Sequence, residues 1–263
     1  MTRRGCIYLT LVLGQIFEQI LGSIVGLHVV PALGDSPALC RALTHEASHY
    51  TVCEIDLRRQ TIKLFWRRPD GQAYGYLASL PNAFGGRSGR LLWAANAGMY
   101  HPDYRPVGLY VENGREVVPA NTRPGPGNFH MKPNGVFFVA GEKAGILETS
   151  AFLKAPPRVD VATQSGPMLV IDGRLHPRFS PNGGSRKYRD GVGLRDAHTV
   201  VFAISDDEVS FGAFARLFRD TLECNNALFL DGGSAPSLYV PELERGSNIV
   251  PLGPMMGVFE RKP

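Results

Sequence analysis

The chain has 263 residues, of which 30 are Gly and 20 are Pro, 44% are hydrophobic and 20% charged, with a net charge of +4. That much Gly and Pro excludes a helical bundle or coiled coil, and the apolar content excludes a disordered chain. Lys and Arg never run beyond two in a row, so the weak positive balance gives no footprint for nucleic acid. A loop-rich α+β or α/β protein is what the composition leaves.

The N-terminus opens on Arg3 and Arg4, continues through apolar stretches at 6–13 and 20–30, and reaches the small residues near Gly34. A basic start, an apolar middle and a small-residue end predict a signal peptide or N-terminal anchor over 1–34, despite the interruption at Glu18. Periplasmic or secreted export follows from it, with the membrane involved only through that segment if it is retained.

Residues 50–56 and 61–66 alternate in strand fashion around a turn at 57–60, which predicts an opening hairpin. Residues 91–95 form an apolar run that reads as a buried strand ending at Asn96. Segments 108–112 and 115–118 flank Asn113-Gly114, a two-residue hairpin signal. Short strands are predicted at 136–140 and at 168–171, the latter followed by the turn Asp172-Gly173.

Beyond Gly193 the pattern changes. Residues 199–204 read as a strand, Asp206-Asp207 as a turn, and 208–210 as a resumed strand. Phe211, Phe214, Ala215, Phe218 and Leu222 then recur at helical spacing, with Ser210 placed to cap the helix. Residues 227–230 form a last buried strand that ends at Asp231. The expected architecture is a single α+β (or α/β) domain over 35–263, mostly a β mixed sheet with few helices, including a strand–helix–strand unit at 199–231.

Four cysteines occur, Cys6, Cys40, Cys53 and Cys224. Cys6 falls in the leader. In an oxidising compartment Cys40 and Cys53 could close one loop, while Cys224 reads as a buried free thiol. The alternative is that all are core residues. The absence of Cys-x-x-Cys argues against zinc and thioredoxin chemistry.

Chemistry is expected where buried strands end in polar residues and Gly. The run Asn96-Ala97-Gly98-Met99-Tyr100 presents an amide able to donate and accept, or an Asn that merely closes a turn. Gln164, Ser165 and Gly166 form a second such end. Downstream of it, Arg189 offers a guanidinium suited to phosphate, and Gly191 and Gly193 would let backbone approach a ligand. Ser165 with His176 does not match a hydrolase nucleophile elbow. Asp231-Gly232-Gly233-Ser234 places a carboxylate beside backbone N–H groups that could form an anion nest, or else a plain turn. Lys132 and Asn134 sit in a turn before a strand and could line a site.

Taken in order, Asn96–Tyr100, 132–137, 162–168, Arg189–Gly193 and Asp231–Ser234 resemble the phosphodiester glycosidase family, from about residue 50 to about residue 256. The resemblance implies a hydrolase that cleaves a sugar–phosphate bond in an envelope or extracellular glycan. A phosphate leaves as an anion and needs charge stabilisation more than a proton, unlike an alcohol. On that basis Asp231 is expected to act as base or nucleophile, with Arg189 and the Gly232 and Gly233 backbone on the phosphate. Asn96, Gln164 and Ser165 would hold sugar or phosphate oxygens, and Gly166 and Ser234 would line the site. No cofactor is required, and a divalent metal at Asp231 stays open. Two other classes also remain: a non-catalytic envelope glycan-binding protein and a metal-dependent phosphodiesterase.

Overall fold

The computed structural model describes residues 39–80, 90–181, 183–240 and 250–261. The expected leader at 1–34 and Cys6 lie outside the described residues. Three antiparallel sheets make up most of the structure. The seven-stranded sheet has the order β1 (Cys40–His45), β2 (Ser48–Asp56), β13 (Thr199–Ser205), β12 (Arg189–Leu194), β14 (Asn226–Gly232), β10 (Met168–Ile171) and β11 (Arg174–Leu175). The four-stranded sheet runs β15 (Leu238–Tyr239), β4 (Leu91–Asn96), β16 (Met255–Glu260) and β3 (Gln60–Phe65). The five-stranded sheet runs β6 (Arg115–Val118), β5 (Tyr110–Glu112), β9 (Val161–Ser165), β7 (Gly135–Ala140) and β8 (Lys143–Glu148).

The α+β reading holds, with a β-rich body and few helices. All the strand pairs are antiparallel, so the mixed sheet expected from the sequence is in fact three antiparallel ones. A short helix α1 (Thr149–Lys154) is capped by Glu148, whose carboxylate accepts from the Ser150 and Ala151 N–H groups. Helix α2 (Phe211–Arg216) is capped by Ser210, whose Oγ accepts from the Ala213 N–H at 3.1 Å. It continues as a π-helical turn over Leu217–Thr221.

Because β13 and β14 both pair antiparallel with β12, they run in the same direction with β12 between them. Helix α2 is the crossover that joins them. It covers one face of the sheet with Phe214, Phe218 and Leu222, which pack on Val201, Leu169 and Phe229. The opposite face carries Val192, Leu228 and Leu230, packed with Trp93, Phe137 and Met256 from the other two sheets. Burial on both faces explains why 199–204 and 227–230 are continuous apolar runs.

The predicted hairpin at 50–66 is not formed. The chain leaves β2 at Asp56 and enters β3 in the four-stranded sheet, where β16 is the partner. Strand β2 instead folds back on β1 through Glu46 and Ala47, both at positive φ (46° and 60°). Neither is Gly or Asn, so this two-residue turn carries no composition signal. At Asn113-Gly114, by contrast, φ values of 53° and 74° confirm the expected β5–β6 turn. The resumed strand at 208–210 reduces to a single bridge between Val209 and Lys187.

Cys40 and Cys53 face each other across β1 and β2 and are disulfide-bonded. Cys224 is a buried free thiol whose pKa burial pushes up to about 12. Constraining the unfolded chain through a loop of this size is worth about 3 kcal/mol. A Cys40→Ala/Cys53→Ala variant should therefore melt about 10 °C lower than the oxidised protein. Calorimetry with and without reductant checks this, with reductant expected to leave the variant unchanged.

Candidate active site

The ends of four strands from all three sheets meet at one place. Asn96 ends β4 and is fully buried. Its Oδ1 accepts from the Ser237 N–H at 3.0 Å, and its amide faces the Asp190 carboxyl. Ser165 ends β9 and donates through Oγ to the Leu230 carbonyl at 2.8 Å, tying the five-stranded sheet to β14. Thr163 donates to the Ala97 carbonyl at 2.7 Å and ties the same sheet to the segment after β4. Gly98 sits there at φ 136°, and a Cβ on it would lie 3.1 Å from Thr163 Oγ1. That close approach explains a Gly in the Asn-Ala-Gly run.

Asp231 and Asp190 face each other on β14 and β12. A bulge follows: Gly191 pairs with Phe229, which leaves Leu230 as the extra residue on β14. The bulge lets Leu230 and Asp231 share the side turned toward Asn96, while Phe229 faces α2. Asp190 is fully buried. Its Oδ1 accepts from the Asp231 N–H at 2.9 Å, and the Asn96 amide faces the carboxyl from β4. Asp231 is half-buried, with Oδ1 accepting from the Gly232 N–H at 2.7 Å. Burial pushes the Asp231 carboxyl up to about 7. Burial and the neighbouring Asp231 carboxylate push Asp190 well above the usual carboxylate range. Tyr100 is also close, its hydroxyl pushed up to about 12 by burial and then by Asp231.

Asp190 is a candidate site residue that strand ends alone do not reveal. It is hidden inside Arg189-Asp190-Gly191, where the Arg and the glycines draw attention first. The available signal was an acid beside Arg189, inside a motif that already contained a candidate.

Several expected site residues lie elsewhere. Arg189 is not beside the carboxyl pair. It is in β12, on the face that α2 covers, with its guanidinium 3.6 Å from the Phe211 ring centroid. Its Nε donates to the Val209 carbonyl at 2.9 Å and its Nη2 to the Ser185 carbonyl at 3.1 Å. Desolvation lowers its pKa to about 10. Gly191 and Gly193 are strand residues, not a ligand loop. A Cβ on Gly193 would lie 2.7 Å from both Cys224 Sγ and Phe218, and one on Gly191 would lie 2.9 Å from the Leu228 carbonyl.

The proposed anion nest is also occupied. The Gly232 N–H is held by Asp231, and the Gly233 N–H donates to the Tyr188 carbonyl at 3.0 Å. Ser234 is exposed on the following turn. Gln164 is buried with its amide in use: Oε1 accepts from the Leu109 and Asn121 N–H groups, and Nε2 donates to the Asn121 carbonyl. Asn134 bonds the Phe129 carbonyl and Thr149, and a Cβ on Gly166 would meet Asn134 at 2.5 Å. Lys132 donates to the Thr122 carbonyl at 3.2 Å on the surface. Ser165 and His176 serve different neighbours, since His176 accepts from the Arg178 N–H and stacks on Phe179.

Among the described residues, no group of three or more His, Cys, Asp or Glu side chains is placed to hold a metal ion. A cavity of about 450 Å³ lies apart from the carboxyl pair, against Leu109, Val111, Phe152 and Pro157.

Carboxyl groups at converging strand ends are the equipment of a glycosidase-type hydrolase. The chain belongs to the phosphodiester glycosidase family, whose profile matches residues 89–259. The uncharacterised protein YigE of Escherichia coli K12 is 38% identical over 178 residues, 68% of this chain and 69% of its own length. The zebrafish N-acetylglucosamine-1-phosphodiester alpha-N-acetylglucosaminidase catalytic domain, auto-inhibited by its pro-peptide, matches with a TM-score of 0.58 at 14% identity. That match covers 87% of this chain and 85% of the zebrafish one. A hypothetical protein from Synechocystis matches at 0.54 and 15% identity, over 84% of this chain and 61% of its own. At such identities the structural likenesses establish a shared fold.

A carboxyl whose folded pKa is raised binds its proton more tightly in the native state. Its contribution to stability is therefore full below about pH 4 and is lost as pH rises through about 7 for Asp231. Asp231→Asn should be more stable than wild type at pH 8, by up to about 4 kcal/mol, and equal to it near pH 4. Urea unfolding at the two pH values measures the difference. Gly193→Val should instead destabilise at every pH by about 1–3 kcal/mol, from overpacking against α2.

Proposed function

We propose that the protein is a hydrolase that cleaves the sugar–phosphate bond of a glycosyl phosphodiester in an envelope or extracellular glycan, with Asp231 as the reacting carboxylate. The observation that carries this reading is the asymmetry of the pair: among the two, Asp231 reaches the surface and Asp190 does not. An alcohol leaving group calls for a second accessible carboxyl to protonate it. A phosphate monoester needs none, because the C1–O bond breaks with its electron pair going to an oxygen that is stable as an anion.

Asp231 then either takes a proton from the attacking water or attacks C1 itself, and the anomeric configuration of the first product separates the two. Asn96, at the end of β4 with its amide turned toward the Asp190 carboxyl, is the group proposed to hold a substrate oxygen. Arg189 is left out of this assignment, because its guanidinium is engaged on the helix side of the sheet. Export to the periplasm or beyond is supported by the disulfide between β1 and β2. Among the described residues no helix is long and apolar enough to cross a membrane.

Sugar-1-phosphodiesters, including envelope fragments, are the substrates to screen, with and without EDTA. In oxygen-18 water the label should enter the sugar, whereas label in the phosphate would indicate a phosphodiesterase. Glycan binding without product would indicate a binding protein. Turnover should rise with pH around a midpoint near 7 as Asp231 ionises. Asp231→Asn should lose about 10²–10⁴-fold in turnover. Near-wild-type turnover in that variant would remove Asp231 from the mechanism.

A further inference from the structure

The two carboxyl groups differ in every respect except chemistry. Asp190 is enclosed on β12, with one oxygen on the Asp231 N–H at 2.9 Å and the Asn96 amide turned toward its carboxyl. Asp231 sits directly opposite on β14, reaches the surface and holds the Gly232 N–H. The groups that face Asp190 are few. Asp231 comes from β14 and Asn96 from β4. Tyr100, from the segment after β4, has its hydroxyl on the Pro251 carbonyl at 3.0 Å. Arg189, next to Asp190 in sequence, turns to the other face of the sheet and stacks on Phe211. Among the described residues neither carboxyl forms an ion pair. Two carboxyls on adjacent strands without a counter-charge cannot both ionise near neutrality.

We propose that Asp190 is a positioning residue that stays a neutral carboxylic acid beneath Asp231, so that the one negative charge of the pair resides on the member that reaches the surface. It acts through Asp231 in two ways. It accepts the Asp231 N–H and so fixes the strand end, and by keeping its proton it leaves Asp231 as the group that ionises. The assignment of the charge rests on the reading of Asp231 as the reacting carboxylate. The protonation state of Asp190 can be measured without any substrate.

The test uses the full chain labelled with carbon-13 at the aspartyl carboxyls. At pH 8 the wild-type spectrum should contain one aspartyl carboxyl that is still protonated, and that signal should be missing from Asp190→Asn. A wild type in which every aspartyl carboxyl is ionised at pH 8 overturns the proposal, and this holds even if the variant fails to fold. On a sugar-1-phosphodiester, wild-type turnover should fall again at alkaline pH as Asp190 ionises. Asp190→Asn should keep the rise near pH 7 and lose the alkaline fall, with turnover at pH 7 within about tenfold of wild type. Asp190→Ala, which removes the acceptor of the Asp231 N–H, should fall further. Equal loss for Asn and Ala at every pH would make the role merely structural and overturn the proposal. A protonated Asp190 in a protein that turns over no sugar phosphodiester would instead leave the pair as described and remove the proposed reaction.

Discussion

The bulge that sets Gly191 against Phe229 is the constraint from which the site follows. Strands β12 and β14 lie at the middle of the seven-stranded sheet and are buried on both faces, so every side chain there must choose between α2 and the opposing sheets. In a regular ladder Asp231 would share a face with Phe229 and turn toward α2. One extra residue, Leu230, shifts Asp231 to the other side, where Asp190 and Asn96 lie. The helix side then closes over Gly191 and Gly193, which have no side chain to hold it away. Rigid packing on one face thereby fixes the position of acids on the other.

Much of this fold could be read from the amino-acid order, for physical reasons that differ by segment. Strands at 91–95, 199–204 and 227–230 were legible because burial on both faces demands unbroken apolar runs. The α2 stripe and its Ser210 cap were legible because a helix on a sheet buries one side only. The β5–β6 turn was legible because Asn113-Gly114 accepts positive φ readily. Strand β12 was not. Its glycines look like loop residues until α2 is placed against them. The pairing of β2 with β1 was hidden for the opposite reason, since Glu46 and Ala47 adopt a turn conformation they do not advertise.

Among the candidate residues, those that terminate buried strands come together in the structure, and those whose placement depends on facing direction do not. Asn96, Ser165 and Asp231 do converge. Arg189 fits anion chemistry by type, yet the strand's alternation sends it to the face opposite Asp190. Gln164 and Asn134 look like ligands in the sequence, and in the structure they cross-brace loops. The distinction between a side chain that binds and one that braces lies in what else reaches it, which no local pattern contains.

The disulfide has a consequence for the edge of the seven-stranded sheet. Among the described residues strand β1 is the outermost strand there, paired on one side alone with β2. An outer strand held by ladder hydrogen bonds can peel away and leave its neighbour open to pairing with another chain. The Cys40–Cys53 link fastens β1 at its first residue, while its other end is held by the tight turn into β2. With both ends secured, exchange of this strand between molecules requires breaking a covalent bond. Self-association through this edge is thereby coupled to the redox state of the compartment in which the chain resides.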